Sequence, residues 1–146
     1  MKKRQVTLLD RARADLGTAK IMLERLESDE IYVDIVAYHC QQCAEKVAKY
    51  LILLQGDTYA NDHRSEEYLS DLKHERIKAL IEQIAVKIDS WATTIRYGKT
   101  ILASRKSVEE VLPVCEELLL IASQAVPCDV EISAANGTSK LIRGDN

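Results

Sequence analysis

The most informative part of this chain is the segment Ala37-Tyr38-His39-Cys40-Gln41-Gln42-Cys43-Ala44-Glu45-Lys46-Val47-Ala48-Lys49. On a helix, side chains at four-residue steps form rows, and one such row consists of Gln41, Glu45 and Lys49, with a second row of Tyr38, Gln42 and Lys46 beside it. The opposite side carries an apolar stripe of Val33, Val36, Cys40, Cys43, Val47, Tyr50 and Leu54. The segment therefore predicts an amphipathic helix with one side in a core and one polar, hydrogen-bonding face.

A heptad repeat of small and large apolar residues predicts a helix before this one, between about Leu9 and Leu26. Either Thr7 or Asp10 is suited to cap it. Gly17 lies inside the repeat and weakens a helix by about 1 kcal/mol relative to alanine. We therefore expect Gly17 to pack closely against a neighbouring element.

Three helical patterns follow the central helix, which we expect over residues 30–54 with its end near Gly56. A short helix is predicted over residues 65–72, and an apolar stripe continues from Ile77 to Ile95. The sequence leaves open whether a break separates these two, because no glycine or proline marks one. Ser107 can cap the last helix, and Pro113 lies inside it. If this helix begins near Ser104, Pro113 kinks it, and if it begins near Leu112, Pro113 lies in the favourable first turn.

The composition agrees with an all-helical domain. The chain has 146 residues, of which 47% are hydrophobic, with two prolines, five glycines and no phenylalanine. Four long amphipathic segments and one short one predict an all-α, up-down antiparallel helical bundle over residues 1–126. After Pro127 the chain becomes rich in serine, asparagine and glycine, so residues 127–146 are expected to form a polar, flexible tail.

Charge and hydropathy narrow the functional classes. The net charge of −3 argues against nonspecific binding of nucleic acid through bulk charge. The uncharged apolar runs are too short to cross a bilayer, and charged residues interrupt the N-terminal region where a signal peptide would need an apolar core. We therefore expect a cytoplasmic protein without a membrane partner, and four cysteines present as free thiols.

The central segment resembles the signature helix of the HEPN family, an aromatic-x-x-QQ-small-x-E-K-x-x-K pattern. The matching residues are Tyr38, Gln41, Gln42, Ala44, Glu45, Lys46 and Lys49. Two further landmarks are similar to those of the family: the pair Arg96-Tyr97, and His63 ahead of Leu69 and Leu72. The resemblance extends from about residue 6 to about residue 125.

Several properties are implied by this resemblance alone. HEPN proteins are bundles of four to five helices that usually pair as homodimers with a cleft between the protomers. In prokaryotes, similar proteins are partners of minimal nucleotidyltransferases in toxin-antitoxin or substrate-binding pairs. The resemblance therefore implies a homodimer and a nucleotidyltransferase partner. This chain carries no nucleotidyltransferase motif of its own.

The polar face of the central helix has three interpretations. It binds a nucleotide or RNA, with amides contacting bases and lysines contacting phosphate. Alternatively, it is a dimer seam in which amides pair across a two-fold axis, or a solvated face. The resemblance favours a shared polar cleft. The predicted ligand-binding residues are Gln41, Gln42, Glu45, Lys46, Lys49, His63, Arg96 and Tyr97.

The segment of residues 96–106 is the second candidate for ligand contact. It contains four basic residues, no acidic residue, and Tyr97 as a surface for stacking. Basic and aromatic side chains together suit single-stranded RNA or a nucleotide phosphate. Arg96 is the best candidate because a guanidinium binds phosphate with two hydrogen bonds. The alternative is a basic loop between helices without a ligand.

The pair Cys40 and Cys43 has the spacing of a metal or redox motif, but no second pair exists to complete a zinc site. Both cysteines lie on the apolar stripe, where a free cysteine behaves as a small hydrophobic residue. We therefore expect them in the core, and we expect no metal or other cofactor.

One departure from the family argues against catalysis. Many HEPN members are metal-independent ribonucleases that use an arginine followed, after four to six residues, by a histidine. No arginine stands at the required distance before His39, His63 or His74, and we predict no catalytic residue. The leading hypothesis is a non-catalytic dimeric module that binds a nucleotide or RNA-type ligand. The alternatives are a ribonuclease toxin whose Arg96 meets His63 or His74 in space, and a plain dimeric scaffold.

Overall fold

The structure is a computed structural model that describes residues 4–25, 30–94 and 103–127. These residues form five helices and no strand: α1 (Leu8–Glu24), α2 (Ile31–Leu54), α3 (Ser65–Asp71), α4 (Glu75–Thr94) and α5 (Arg105–Gln124). The prediction of an all-α bundle of four long helices and one short helix is confirmed. The division of the chain at residue 126 stays a prediction, because residues 128–146 lie outside the described part.

The first helix begins at a capping box formed by Thr7 and Asp10. The Asp10 N–H donates to Thr7 Oγ1 at 3.1 Å, and the Thr7 N–H donates to Asp10 Oδ2 at 3.0 Å. Thr7 is the cap, one of the two residues predicted for this role, and Asp10 completes the box from the third helical position.

The last helix begins three residues earlier than its expected cap. Ser104, and not Ser107, is the N-cap, so the prediction of Ser107 as the cap was wrong, whereas a start near Ser104 is one of the two that the sequence left open. The Ser107 N–H donates to Ser104 Oγ, and the Ser104 N–H donates to Ser107 Oγ, both at 3.1 Å. Two serines three residues apart satisfy both halves of a capping box, and the early start places Pro113 inside the helix.

The break between α3 and α4, which the sequence leaves open, is held by the buried side chain of Gln55. Its Nε2 donates to the Asp71 carbonyl at 2.7 Å, and its Oε1 accepts from the Lys73 N–H at 3.1 Å. At the start of α4, the Ile77 N–H donates to His74 Nδ1 at 3.3 Å. One amide thus satisfies the backbone groups that a continuous helix would otherwise have paired.

The core lies around α2, which contacts each of the other four helices. The ion pairs Arg76–Glu117 and Lys87–Glu110 show that α4 and α5 run antiparallel. Small side chains allow close approach along α2, since Ala37, Cys40, Cys43, Ala44 and Ala48 are fully buried.

The cysteine pair lies in the core, as predicted. Cys40, Cys43 and Cys115 are buried free thiols, and the Cys115 thiol donates to the Cys40 carbonyl across 3.4 Å. The neighbouring thiols of Cys40 and Cys43, together with burial, raise the pKa of Cys115. A thiol that stays protonated packs as a small hydrophobic group. In the described ranges, no helix has the length and apolar character needed to cross a membrane.

Gly17 does not pack closely against a neighbour, contrary to expectation. It is exposed, and a Cβ atom added at this position meets no atom within 4 Å. We expect Gly17→Ala to stabilise the protein by about 1 kcal/mol, because alanine restricts the unfolded chain and favours the helix. Urea denaturation followed by circular dichroism measures this change.

Gly56 provides the matched control for that substitution. It follows the end of α2 with a φ of +91°, in the left-handed region that residues with a Cβ rarely adopt. Gly56→Ala should therefore destabilise the protein by about 1–2 kcal/mol. An equal loss of stability in both variants would contradict the interpretation of Gly17.

Candidate functional site

The row Gln41, Glu45 and Lys49 on α2 is buried within the protomer. The exposed fractions are 0% for Gln41, 5% for Glu45 and 5% for Lys49. The interpretation as a solvated face is therefore wrong for this row. The neighbouring row of Tyr38, Gln42 and Lys46 is half-buried.

The Glu45 carboxylate is the centre of a hydrogen-bonded group. Gln41 Nε2 donates to Oε1 at 2.8 Å, and Lys49 Nζ donates to Oε2 at 2.9 Å. His63 Nδ1 lies 3.0 Å from both oxygens. Gln42 Nε2 in turn donates to Gln41 Oε1 at 2.8 Å. We call these five residues the Glu45 cluster.

Lys49 fastens the connection between α2 and α3 over this cluster. Its ammonium donates to the Asp62 carbonyl at 2.9 Å and lies 5.0 Å from the centre of the Tyr59 ring. Because the connection folds back onto α2, Glu45 and Lys49 are covered although helical spacing places them on the polar side. This packing brings His63 against Glu45.

His63 is the exposed end of the cluster, with 52% of its side chain accessible. An ionised carboxylate accepts hydrogen bonds only, so the contact with Glu45 requires the ring hydrogen on Nδ1. Nε2 then remains for a partner outside the protomer. The arrangement orients an imidazole at the surface.

The chain beyond His63 is fixed from the other side. The Ser65 N–H donates to Asp89 Oδ1 at 2.8 Å, and Ser65 Oγ donates to Oδ2 at 2.6 Å, which ties the start of α3 to α4. Hydrogen bonds from the Arg64 side chain and backbone lower the pKa of Asp62 to about 2, so this carboxylate is ionised at neutral pH. His63 therefore lies in a segment anchored to both α2 and α4.

A second cluster of acid, histidine and lysine joins α1 to α2. Asp15 Oδ1 lies 2.8 Å from His39 Nδ1, and Asp15 Oδ2 accepts from Lys46 Nζ. Asp15 is not among the residues predicted from the sequence. The available signal was an acidic residue directly before Leu16, beside the apolar stripe of α1.

The predicted ligand-binding residues thus divide into three groups. The structure brings Gln41, Gln42, Glu45, Lys49 and His63 together in one cluster, whereas Lys46 pairs with Asp15. Arg96 and Tyr97 lie outside the described residues. His74 caps α4 and takes no part in the Glu45 cluster.

Tyr68 is a buried polar side chain whose ionisation is influenced by the charge of Glu45. Burial raises the pKa of Tyr68, and the charges of Glu45 and Asp89 add to this effect. The Tyr68 hydroxyl is the one buried side-chain polar atom in the described ranges without a hydrogen-bond partner.

No three or more histidine, cysteine, aspartate or glutamate side chains in the described ranges are arranged to hold a metal ion.

The family model described as HEPN domain matches residues 6–125 of this chain. No curated protein and no solved structure matches it.

The Glu45–Lys49 pair makes a prediction about stability. Both side chains are 6% exposed, so Lys49→Met leaves a buried carboxylate without its ammonium partner. We expect a loss of about 3–5 kcal/mol in the free energy of unfolding, measured by urea denaturation.

Lys20→Met is the matched control, because Lys20 pairs with Glu116 on the surface, where the two side chains are 48% and 43% exposed. It should change stability by less than about 1 kcal/mol. If Lys49→Met and Lys20→Met lower the free energy of unfolding by the same amount, the buried pair does not stabilise the protein more than the surface pair does.

Proposed function

This chain belongs to the HEPN family, and from that premise we propose that it is a module that binds a nucleotide or an RNA-type ligand at the surface around His63. The observation that carries the proposal is the half-exposed His63 ring, held through Nδ1 by the buried Glu45 carboxylate. A ring already fixed in place loses little conformational freedom when a ligand binds.

The chemistry of this surface suits a phosphorylated ligand. When the His63 ring is an imidazolium, its outward Nε2–H is a charged donor for a phosphate oxygen. Arg96 and Tyr97 remain proposed contacts for phosphate and base, on the sequence alone.

A second candidate function is a metal-independent ribonuclease. It is supported by the same Glu45–His63 contact, because a carboxylate that fixes the tautomer and orientation of an imidazole is typical of general acid–base catalysis. In this candidate, His63 transfers protons and Arg96 stabilises negative charge on phosphate. The missing Arg-x4–6-His motif places this candidate second.

We further propose that the protein is a homodimer through the outer side of α2. Its accessible residues there include Ile35, Gln42 and Leu53 together with Ile31, Tyr38 and Lys46. Ile31 and Leu53 each stand eleven residues from Gln42 in the sequence, and Tyr38 and Lys46 each stand four. A stripe with such symmetry about Gln42 fits antiparallel packing of two α2 helices around a two-fold axis.

In that arrangement the two Gln42 amides meet at the axis, where each both donates and accepts. The apolar ends of the stripe supply the buried area, since Ile31, Ile35 and Leu53 are 49%, 38% and 48% exposed in the protomer. A nucleotidyltransferase partner and a cytoplasmic location are proposed as well, the first from family membership and the second from the free buried thiols.

Ligand binding is tested with a fluorescently labelled, mixed-sequence, single-stranded RNA in the presence of chelator, by fluorescence anisotropy with ATP as competitor. We expect His63→Ala to weaken binding roughly 10–100-fold, the value of one charge-assisted hydrogen bond. Arg96→Ala should weaken it by a similar factor. His74→Asn is the control, because asparagine keeps the capping function while removing a histidine elsewhere.

The same samples on a denaturing gel separate the two candidates. Intact RNA that binds in a His63-dependent way supports the module without catalysis. Cleavage that disappears in His63→Ala and Arg96→Ala favours the ribonuclease and contradicts the first candidate. Absence of both binding and cleavage would overturn both candidates for these ligands.

Light scattering after size-exclusion chromatography tests the dimer. Ile35→Glu and Leu53→Glu should each convert the dimer to a monomer, because a carboxylate at an apolar contact must lose its hydration. Val86→Glu on α4 is the control, since Val86 is 87% exposed and outside the stripe. A wild-type monomer, or dimers in all three variants, would count against this interface.

A further inference from the structure

We infer that Gln42 is a positioning residue for His63, and that a contact made at the outer side of α2 is transmitted to the His63 ring through Gln41 and Glu45. This inference deepens the proposed function, since it rests on His63 as a ligand contact. It concerns a connection between two surface positions that are separated by buried side chains.

In the hydrogen bonds that join Gln42, Gln41 and Glu45, the donor and the acceptor of each bond are fixed. Because the Glu45 carboxylate only accepts, Gln41 must turn its Nε2 toward Glu45 and its Oε1 toward Gln42. Gln41 has no exposed surface, so water does not replace either partner. Gln42 is therefore held with Nε2 directed inward and its Oε1 left for another group.

The acceptor sites of Glu45 are fully used. Oε1 receives Gln41 and His63, while Oε2 receives Lys49 and His63. Because each oxygen already accepts one other donor, His63 Nδ1 lies equally far from both oxygens, at 3.0 Å. If Gln41 weakens its bond to Oε1, the ring is free to move toward that oxygen. Gln41 thus sets the position of the ring.

Gln42 controls Gln41 in the same way. A ligand or a second protomer that turns the Gln42 amide so that its Nε2 hydrogens point outward leaves the buried Gln41 Oε1 without a donor, which disfavours the present orientation of the Gln41 amide. Binding at Gln42 and the position of His63 are then coupled, and the coupling is reciprocal.

His39 offers an internal comparison. It stands three residues before Gln42 on the same helix, but its Nδ1 contacts Asp15 and it lies outside the chain of bonds that leads to Glu45. A general disturbance of α2 would reach His39 at least as strongly as His63. A selective effect on His63 requires the path through Gln41 and Glu45.

The test is nitrogen NMR of the histidine rings in full-length protein labelled at histidine, without RNA or nucleotide. Signals are assigned with the variant His63→Gln. We expect Gln42→Leu to change the nitrogen chemical shifts of the His63 ring more than those of the His39 ring. Gln41→Leu should change the His63 chemical shifts further in the same direction. One control should leave the His63 signals unchanged: Gln83→Leu, at an exposed glutamine of α4.

Gln41 is buried, so the decision rests on Gln42→Leu, whose site is half-buried. Unchanged His63 signals in Gln42→Leu, or a larger shift at His39, would overturn the inference. Because the NMR samples contain no ligand, failure of this inference can be told apart from failure of the proposed function. A His63 response in a protein that binds no RNA would still support the positioning role.

Discussion

The buried charge pair of Glu45 and Lys49 is the constraint on which the rest of the site depends. A carboxylate in the interior is stable only when donors replace the water it has lost. Gln41, Lys49 and His63 supply them here, and Lys49 also binds the carbonyl of Asp62 in the connection to α3. The path of that connection is therefore determined by the need to satisfy two charges on α2. The location of His63 at the surface follows from it.

Much of the fold could be predicted from the sequence because it depends on local spacing. The heptad repeat of α1, the apolar stripe of α2 and the core position of Cys40 and Cys43 all reflect which side of a helix a residue occupies. The cap of α5 was predicted at the wrong serine for a local reason. Ser104 and Ser107 form the two halves of one capping box, so either serine is suited to the role. The exposure of Gly17 was not predicted, because the position of a glycine in a helix does not show whether it packs against a neighbour or faces solvent.

The candidate site was predicted only in part, and the missing part is tertiary. Spacing places Glu45 and Lys49 on the polar side of α2, and nothing local shows that residues 57–64 fold over them. The resemblance to a family pointed to His63, but its partner Glu45 came from the structure. Asp15 was missed for a related reason, because its burial depends on His39 and Lys46 reaching across from the next helix.

The two clusters on α2 show how similar chemistry takes different roles according to exposure. Asp15 with His39 and Lys46 joins two helices, and the histidine is 24% exposed. In the Glu45 cluster the histidine comes from a connection and is 52% exposed, so one edge of its ring faces outward. The first cluster uses its hydrogen bonds to fix the contact between α1 and α2. The second uses them to hold a single surface group in place, and a site built in this way keeps its geometry only while the buried charges beneath it remain paired.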